Sequence, residues 1–282
     1  MSATLALSLS VVMHVIWNLM ARHLPAAAMP LWWVLLAHLL LLAPWGIWEL
    51  LRTASWSQET VLLLLVSATA NVIYFLGLAR AYEHAPVALV YPLVRSSPLL
   101  IAIWGSLFFD QQLSHGAWLG IGISVIGLWL MAASANHGSD RHALPWTLLA
   151  MLATSVYSLS DKAATAQIPS FMGLVGFLSV GYLASWLALS WRLHRQSGRW
   201  IPAQRIKILP LLVGGLCIGL AYALVIHAMR ELSAAEAVSY TNAGIVLATL
   251  ASILLFKERH AWGRRILAVT VITLGLIVLA CY

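Results

Sequence analysis

VALVYPLVRSSPLLIAIW, residues Val87 to Trp104, is apolar enough to cross a membrane as one helix. Yet Arg95 sits near its middle, with Pro92 and Pro98 three residues to either side. An unpaired Arg at mid-bilayer costs about 2.5–3.5 kcal/mol on insertion scales. The side chain is therefore expected to face the interior of a helical bundle or a wet cavity. The prolines support this, because Pro92 and Pro98 have no N–H for the carbonyls of Ala88 and Val94. Such freed carbonyls are tolerated at membrane depth only where protein or water meets them, and Ser96 and Ser97 can reach back to some. A guanidinium there could clamp a carboxylate, phosphate or phosphonate through two parallel bonds. The alternative is a structural Arg that satisfies broken-helix carbonyls or pairs with an acid. The ligand-facing reading is preferred, since ionisable groups inside membranes are usually functional.

The rest of the chain agrees. Of its 282 residues 62% are hydrophobic, 9% are charged and 14 are Trp. A soluble domain is about 25% charged, so the solvent is largely lipid. Hydropathy divides the chain into ten expected spans, at 3–21, 30–50, 60–80, 86–108, 115–134, 145–163, 171–191, 208–228, 234–256 and 264–281. The N-terminal MSATLALSLS lacks a basic leader and reads as the start of a retained span. The net charge of +7 comes from short gaps between apolar runs, which excludes nucleic acid as a partner. Cys217 and Cys281 lie in apolar runs, so no disulfide framework is implied. No phosphate-binding loop appears, no His pair has metal-ligand spacing on a helix, and no cofactor is expected.

Residues 135–144, ANHGSDRHAL, are the clearest polar linker and separate two five-span halves, 1–134 and 145–282. A shift of 147 positions aligns Ala81 with Ala228, Ala88 with Ala235, Leu107 with Leu254, Phe109 with Phe256 and Gly116 with Gly263. HVIWNLMAR in the first span corresponds to TSVYSLSDK in the sixth, pairing Trp17 with Tyr157, Asn18 with Ser158 and Arg22 with Lys162. Five spans is an odd number, so the second half enters the bilayer in the opposite sense. The fold class expected is all-α integral membrane, with ten transmembrane helices as two inverted five-helix repeats around a central cavity.

The same shift carries Arg95 onto Asn242. Asn242 shares a helical face with Ser239, and Tyr240 shares one with Glu236. Ser233-Ala-Ala-Glu236 is a capping-box pattern, so Glu236 is assigned to the helix start; Asn242 and Tyr240 are cavity candidates, with hydrogen bonding between helices an equal alternative. Span one carries a stripe of Ser10, His14, Trp17, Asn18 and Ala21; span six repeats it with Thr154, Tyr157, Ser158 and Asp161. Both stripes are expected to face the interior. His14 and Asp161 are the candidates for a coupling proton. The plainer readings are preferred for both: His14 bonds a neighbouring helix, and Asp161 pairs with Lys162 or sits at the membrane edge. Asn71, Tyr74, Tyr91 and Tyr222 complete the lining candidates. Gly116-x-x-x-Gly120 and Gly215-x-x-x-Gly219 predict close helix packing.

HVIWN, ARAYEHAPVALVYPLVRSSPLLIAIWGSLFFDQQLS and AMRELSAAEAVSYTNAGIVLATLASILLFKERHAWG together resemble the EamA-type branch of the drug/metabolite transporter superfamily. The chain is also similar to the permeases of that branch found beside phosphonate-catabolism genes. The family usually carries Gly-Glu before its fifth and tenth spans. Here the two copies read Phe109-Asp110-Gln111-Gln112 and Phe256-Lys257-Glu258-Arg259, so the first half lacks the Glu. The resemblance implies a multi-pass permease or exporter of the inner (plasma) membrane, not an enzyme. It would move a small polar, anionic metabolite by alternating access, with room for proton coupling and for a homodimer. Two other classes compete: a non-transporting assembly or sensor subunit, and an intramembrane enzyme on a lipid. Lys and Arg concentrate in the odd-numbered connections, which places both termini outside by the positive-inside rule; the family resemblance implies the reverse.

Overall fold

The computed structural model describes residues 1–21, 24–25, 28–134, 141–255, 257 and 261–281. Arg22, Phe256, Glu258, Arg259 and most of the expected linker lie outside them, as does the side chain of Ala21. Thirteen helices follow one another: α1 (Ala3–Ala21), α2 (Pro30–Leu41), α3 (Ala43–Thr53), α4 (Gln58–His84), α5 (Val87–Val94), α6 (Ser97–Phe108), α7 (His115–Ala133), α8 (Ala143–Ala164), α9 (Phe171–Ser197), α10 (Ile208–Ala228), α11 (Ala234–Tyr240), α12 (Ala243–Leu254) and α13 (Trp262–Cys281). Among the described residues, nine stretches are long and apolar enough to cross a membrane, and the bent pair α2–α3 makes a tenth.

Three expected spans are not continuous helices. The second bends by 56° at Leu42, between α2 and α3. Pro44 stands in the first turn of α3, where its missing N–H breaks the ladder at no further cost. The fourth and ninth spans are each severed into α5–α6 and α11–α12. Two other spans run longer than hydropathy indicated, α4 to His84 and α9 to Ser197. In α9 the additional residues are RLHRQS, polar enough to end an apolar window and still compatible with a helix. Gly198, at φ 71°, closes that helix in the left-handed conformation.

The helices pack as two compact units that are not coextensive with the sequence halves. One comprises residues 1–76 and 160–230, the other 77–159 and 231–282, and the divisions fall within α4 and α8. In the first unit α3 meets α9 through bare backbone. A Cβ on Gly176 would overlap the carbonyl oxygen of Gly46. Trp17 of α1 lies on Gly214 of α10, and α2 packs on α10 where Gly215 and Gly219 admit Ala37 and His38. In the second unit Gly120 and Gly127 of α7 let α13 approach at Leu279 and Ile272. In lipid, apolar side chains gain little by meeting one another, so close backbone approach and dispersion hold such pairs together. Leu128, Met131, Ile245, Ala268, Val269 and Ile272 form a buried cluster beside them. Trp56, Trp191, Trp200 and Trp262 are exposed at or near helix ends, as expected of an interfacial belt.

The turn after α6 closes with the N–H of Gln111 on the carbonyl of Gly105, 3.1 Å, across Asp110 at φ 49°. Lys257, 147 positions on, is also left-handed at φ 54°. This is where the resembling family carries Gly, and Asp is among the few residues that tolerate the conformation. Asp110→Gly is expected to raise the unfolding midpoint in mild detergent, by a gain of about 0.5–1 kcal/mol from relieved backbone strain.

Candidate functional site

The second unit holds both severed spans. α5 ends at Val94, Arg95 and Ser96 form the turn, and α6 begins at Ser97. α11 ends at Tyr240, Thr241 and Asn242 form the turn, and α12 begins at Ala243. Under the 147-residue shift the breaks coincide to within one residue, Arg95 falling on Asn242. α11 starts with the capping box expected, Ser233 Oγ accepting from the Glu236 N–H and the Glu236 carboxylate from the Ser233 N–H. Each break exposes backbone groups that a continuous helix would pair. Ser96 Oγ reaches back 3.1 Å to the Pro92 carbonyl, and Thr241 Oγ1 reaches 2.5 Å to that of Val238.

Arg95 joins the two breaks. Its Nη2 donates to the Thr241 carbonyl at 3.0 Å, and its guanidinium carbon lies 5.6 Å from the Tyr91 ring centroid. One arm therefore braces the turn between α11 and α12, whose Thr241 carbonyl also accepts the Gly244 N–H at 3.0 Å, a structural role of the kind the sequence left open. Nε is buried and has no hydrogen-bonding partner, and no carboxylate pairs with Arg95 among the described residues. Both amide atoms of Asn242, Ser97 Oγ and Ser239 Oγ are likewise buried without partners. All four residues lie within two positions of the Arg95–Thr241 bond. Leaving a buried polar group unpaired costs about 1–3 kcal/mol, so native structures rarely keep several at one place.

The first unit holds a separate polar centre. Asp161 of α8 is 1% exposed. Ser67 of α4 donates to Oδ1 at 2.5 Å and Tyr222 of α10 donates to Oδ2 at 2.7 Å. Asn71 Nδ2 bonds the Ser67 carbonyl at 3.0 Å. Asp161 is thus buried in the last turn of α8 and is not paired with Lys162, whose Nζ donates to the Met229 carbonyl. Nearby, His38 Nε2 bonds Ser179 Oγ at 2.8 Å and packs edge-on against Tyr182, whose hydroxyl donates to the Ile218 carbonyl.

Of the residues expected to line an interior, Thr154, Tyr157, Ser158 and Asp161 are all buried, so the stripe on span six faces inward. Ser10 is buried; His14, Trp17 and Asn18 are half-buried. His14 Nδ1 lies 2.8 Å from the Ser10 carbonyl of its own helix. Tyr74 and Tyr240 are half-buried. The structure gathers Arg95, Tyr91 and Asn242 in the second unit and Asn71, Asp161 and Tyr222 in the first. Thr241 and Ser67 complete these groups and were not anticipated. Ser67 was legible, since Ser67, Asn71 and Tyr74 repeat at i, i+4 and i+7. Thr241 acts through its backbone, which side-chain chemistry does not signal.

A model of the EamA-like transporter family matches the chain twice, over residues 1–133 and 142–281. The chain belongs to this family. Membership agrees with an all-helical, multi-pass protein of the inner membrane built from two repeats. The chain is 26% identical over 83 residues to a protein named "Probable 4-amino-4-deoxy-L-arabinose-phosphoundecaprenol flippase subunit ArnE" from Hamiltonella defensa subsp. Acyrthosiphon pisum, covering 28% of this chain and 75% of that one. To the subunit of the same name from Aeromonas salmonicida it is 35% identical over 49 residues, 17% of this chain and 43% of the relative. Eighty-three residues making up 75% of the first relative put its length at about 110, near that of one EamA repeat. A solved structure, described only as the crystal structure of a protein, superposes with a TM-score of 0.71 over 98% of both chains at 19% identity. That likeness shows a shared fold.

Proposed function

We propose that this EamA-family protein is a secondary transporter that carries a small polar, anionic metabolite across the inner membrane by alternating access, and that it performs no covalent chemistry. The observation that carries the reading is the group of unpaired polar atoms at the two helix breaks. A guanidinium edge, a carboxamide and two hydroxyls supply donors for an oxyanion and an acceptor for a neighbouring hydroxyl or amine. Severed helices with polar turns at membrane depth are the usual place for substrate in carriers built from repeats. A sensor or assembly subunit has no need of such a group, and buried unpaired atoms would only weaken it. Arg95 then has two functions, fixing the Thr241 carbonyl with one arm and meeting the anion with the edge at Nε.

A second reading follows from the flippase relatives: the anionic group belongs to a lipid-linked sugar phosphate, and the hydrophobic tail stays in the bilayer. The same guanidinium chemistry serves both.

The test begins with thermal shift of the purified protein against 2-aminoethylphosphonate, phosphonoacetate, glutamate, glucose 6-phosphate and an undecaprenyl-phosphate sugar. Proteoliposome counterflow of whichever probe shifts the midpoint follows. Arg95→Ala is expected to cut transport of that probe by about tenfold or more, the loss of one charge-assisted hydrogen bond. Arg95→Lys is expected to recover part of it, since the charge remains without the planar fork. A folded Arg95→Ala protein that transports the probe at the unmodified rate removes the proposed role.

A further inference from the structure

We propose that Asp161, Ser67 and Tyr222 form a proton-binding site within the first packing unit, one whose occupancy is linked to the protein's conformation. Its use in transport rests on the carrier reading above; the site itself rests on geometry. Three helices converge on one buried carboxyl. α8 supplies the acid, α4 the Ser67 hydroxyl and α10 the Tyr222 hydroxyl, each bonded to a different carboxyl oxygen.

The partners are neutral. Lys162, the next residue along α8, donates to the Met229 carbonyl, and Arg230 donates to the carbonyls of Ile168 and Pro169. Among the described residues, the other titratable groups nearby are phenols and an imidazole. Tyr182 on α9 lies within electrostatic reach of the acid and of Tyr74 on α4, and His38 of α2 packs edge-on against Tyr182. A lone anion held only by hydroxyls in a medium of low dielectric is an unusual structural device. Buried charges kept for stability are paired with an opposite charge.

Hydroxyls have another property that a cation lacks. A hydroxyl can donate or accept, so turning one O–H converts a donor to the carboxylate into an acceptor from the carboxylic acid. The centre can therefore hold either state with its hydrogen bonds kept. In the charged state both hydroxyls donate. In the neutral state the acid donates to one hydroxyl and accepts from the other. Asn71 extends the network, its amide lying 3.5 Å from Ser67 Oγ. The equilibrium is simply carboxylate plus hydronium giving carboxylic acid plus water, with no other reactant. A change in which hydroxyl donates alters the tie between α8 and either α4 or α10, and this is the mechanical link to conformation.

The experiment is infrared difference spectroscopy of the full chain in lipid across about pH 4 to 9, with intrinsic tryptophan emission recorded in parallel. The unmodified protein is expected to gain a protonated-carboxyl C=O band on acidification, with an emission change of the same midpoint. Asp161→Asn is expected to lose both. Tyr222→Phe and Ser67→Ala, which keep the acid, are expected to keep the band, and the one that removes the hydroxyl donating to the carbonyl is expected to move it to higher frequency, because the carbonyl loses a bond. These two variants preserve the test if Asp161→Asn does not fold. A band that survives in folded Asp161→Asn, or that stays unmoved in both hydroxyl variants, overturns the site. An emission midpoint unrelated to the band overturns the conformational link. The expected spectra together with failure of every transport probe would leave the proton site standing and count against the carrier reading.

Discussion

Gly176→Ala is expected to lower the yield of folded protein and its unfolding midpoint sharply. The added methyl would overlap the carbonyl oxygen of Gly46, and the next nearest atoms are the Gly46 carbonyl carbon and the Ile47 nitrogen. All three belong to backbone, so no side chain can turn aside, and α3 or α9 must shift as a body. Overpacking of this kind costs about 3 kcal/mol or more where relief is blocked, a large part of a marginal stability of about 5–15 kcal/mol. The measurement is monodisperse yield and unfolding midpoint in mild detergent, compared with Gly122→Ala. A Cβ on Gly122 meets nothing within 4 Å, so that variant is expected to be unchanged or more stable by up to about 1 kcal/mol from helix propensity. Equal behaviour of the two variants would mean that α3 and α9 do not touch through backbone.

Asn242→Leu is expected to separate stability from function in the opposite direction. The side chain is fully buried, and neither amide atom has a protein partner. Replacing an unpaired buried amide with an apolar group of similar shape removes a cost of about 1–3 kcal/mol. The unfolding midpoint should rise while counterflow of the active probe falls to background. Proteins commonly hold their binding groups at some expense to stability, and relieving the expense usually harms activity. A lower midpoint would show that the amide bonds structurally, and unchanged transport would remove Asn242 from the substrate site.

Much of this architecture was legible in the sequence because lipid imposes a simple code. Apolar runs of span length marked nearly every helix, and the 147-residue shift placed the two severed spans in register before their geometry was known. The break at Leu42 was not foreseen, because Pro44 falls where proline also starts an ordinary helix and the apolar run continues through it. For the site, the prolines around Arg95 correctly marked a broken helix, and the stripe ending in Asp161 correctly marked a buried face. What eluded sequence reasoning was partnership. Nothing in the spacing of Asp161 and Lys162 shows that the acid turns to hydroxyls on α4 and α10 while the lysine turns to the Met229 carbonyl. Such choices depend on which helix stands beside which. The packing units, which draw helices from both halves of the chain, show how far adjacency departs from chain order.

The register of the two breaks bears on why one polypeptide carries both copies. Two identical half-length chains would bring the same residue to both turns: two guanidiniums that repel each other, or two carboxamides with no charge between them. Two copies in one chain are free to differ, so that one turn holds a cation and the other an amide. Under the proposed carrier reading, the pair would form a polarised cradle that tells the head of a cargo from the tail.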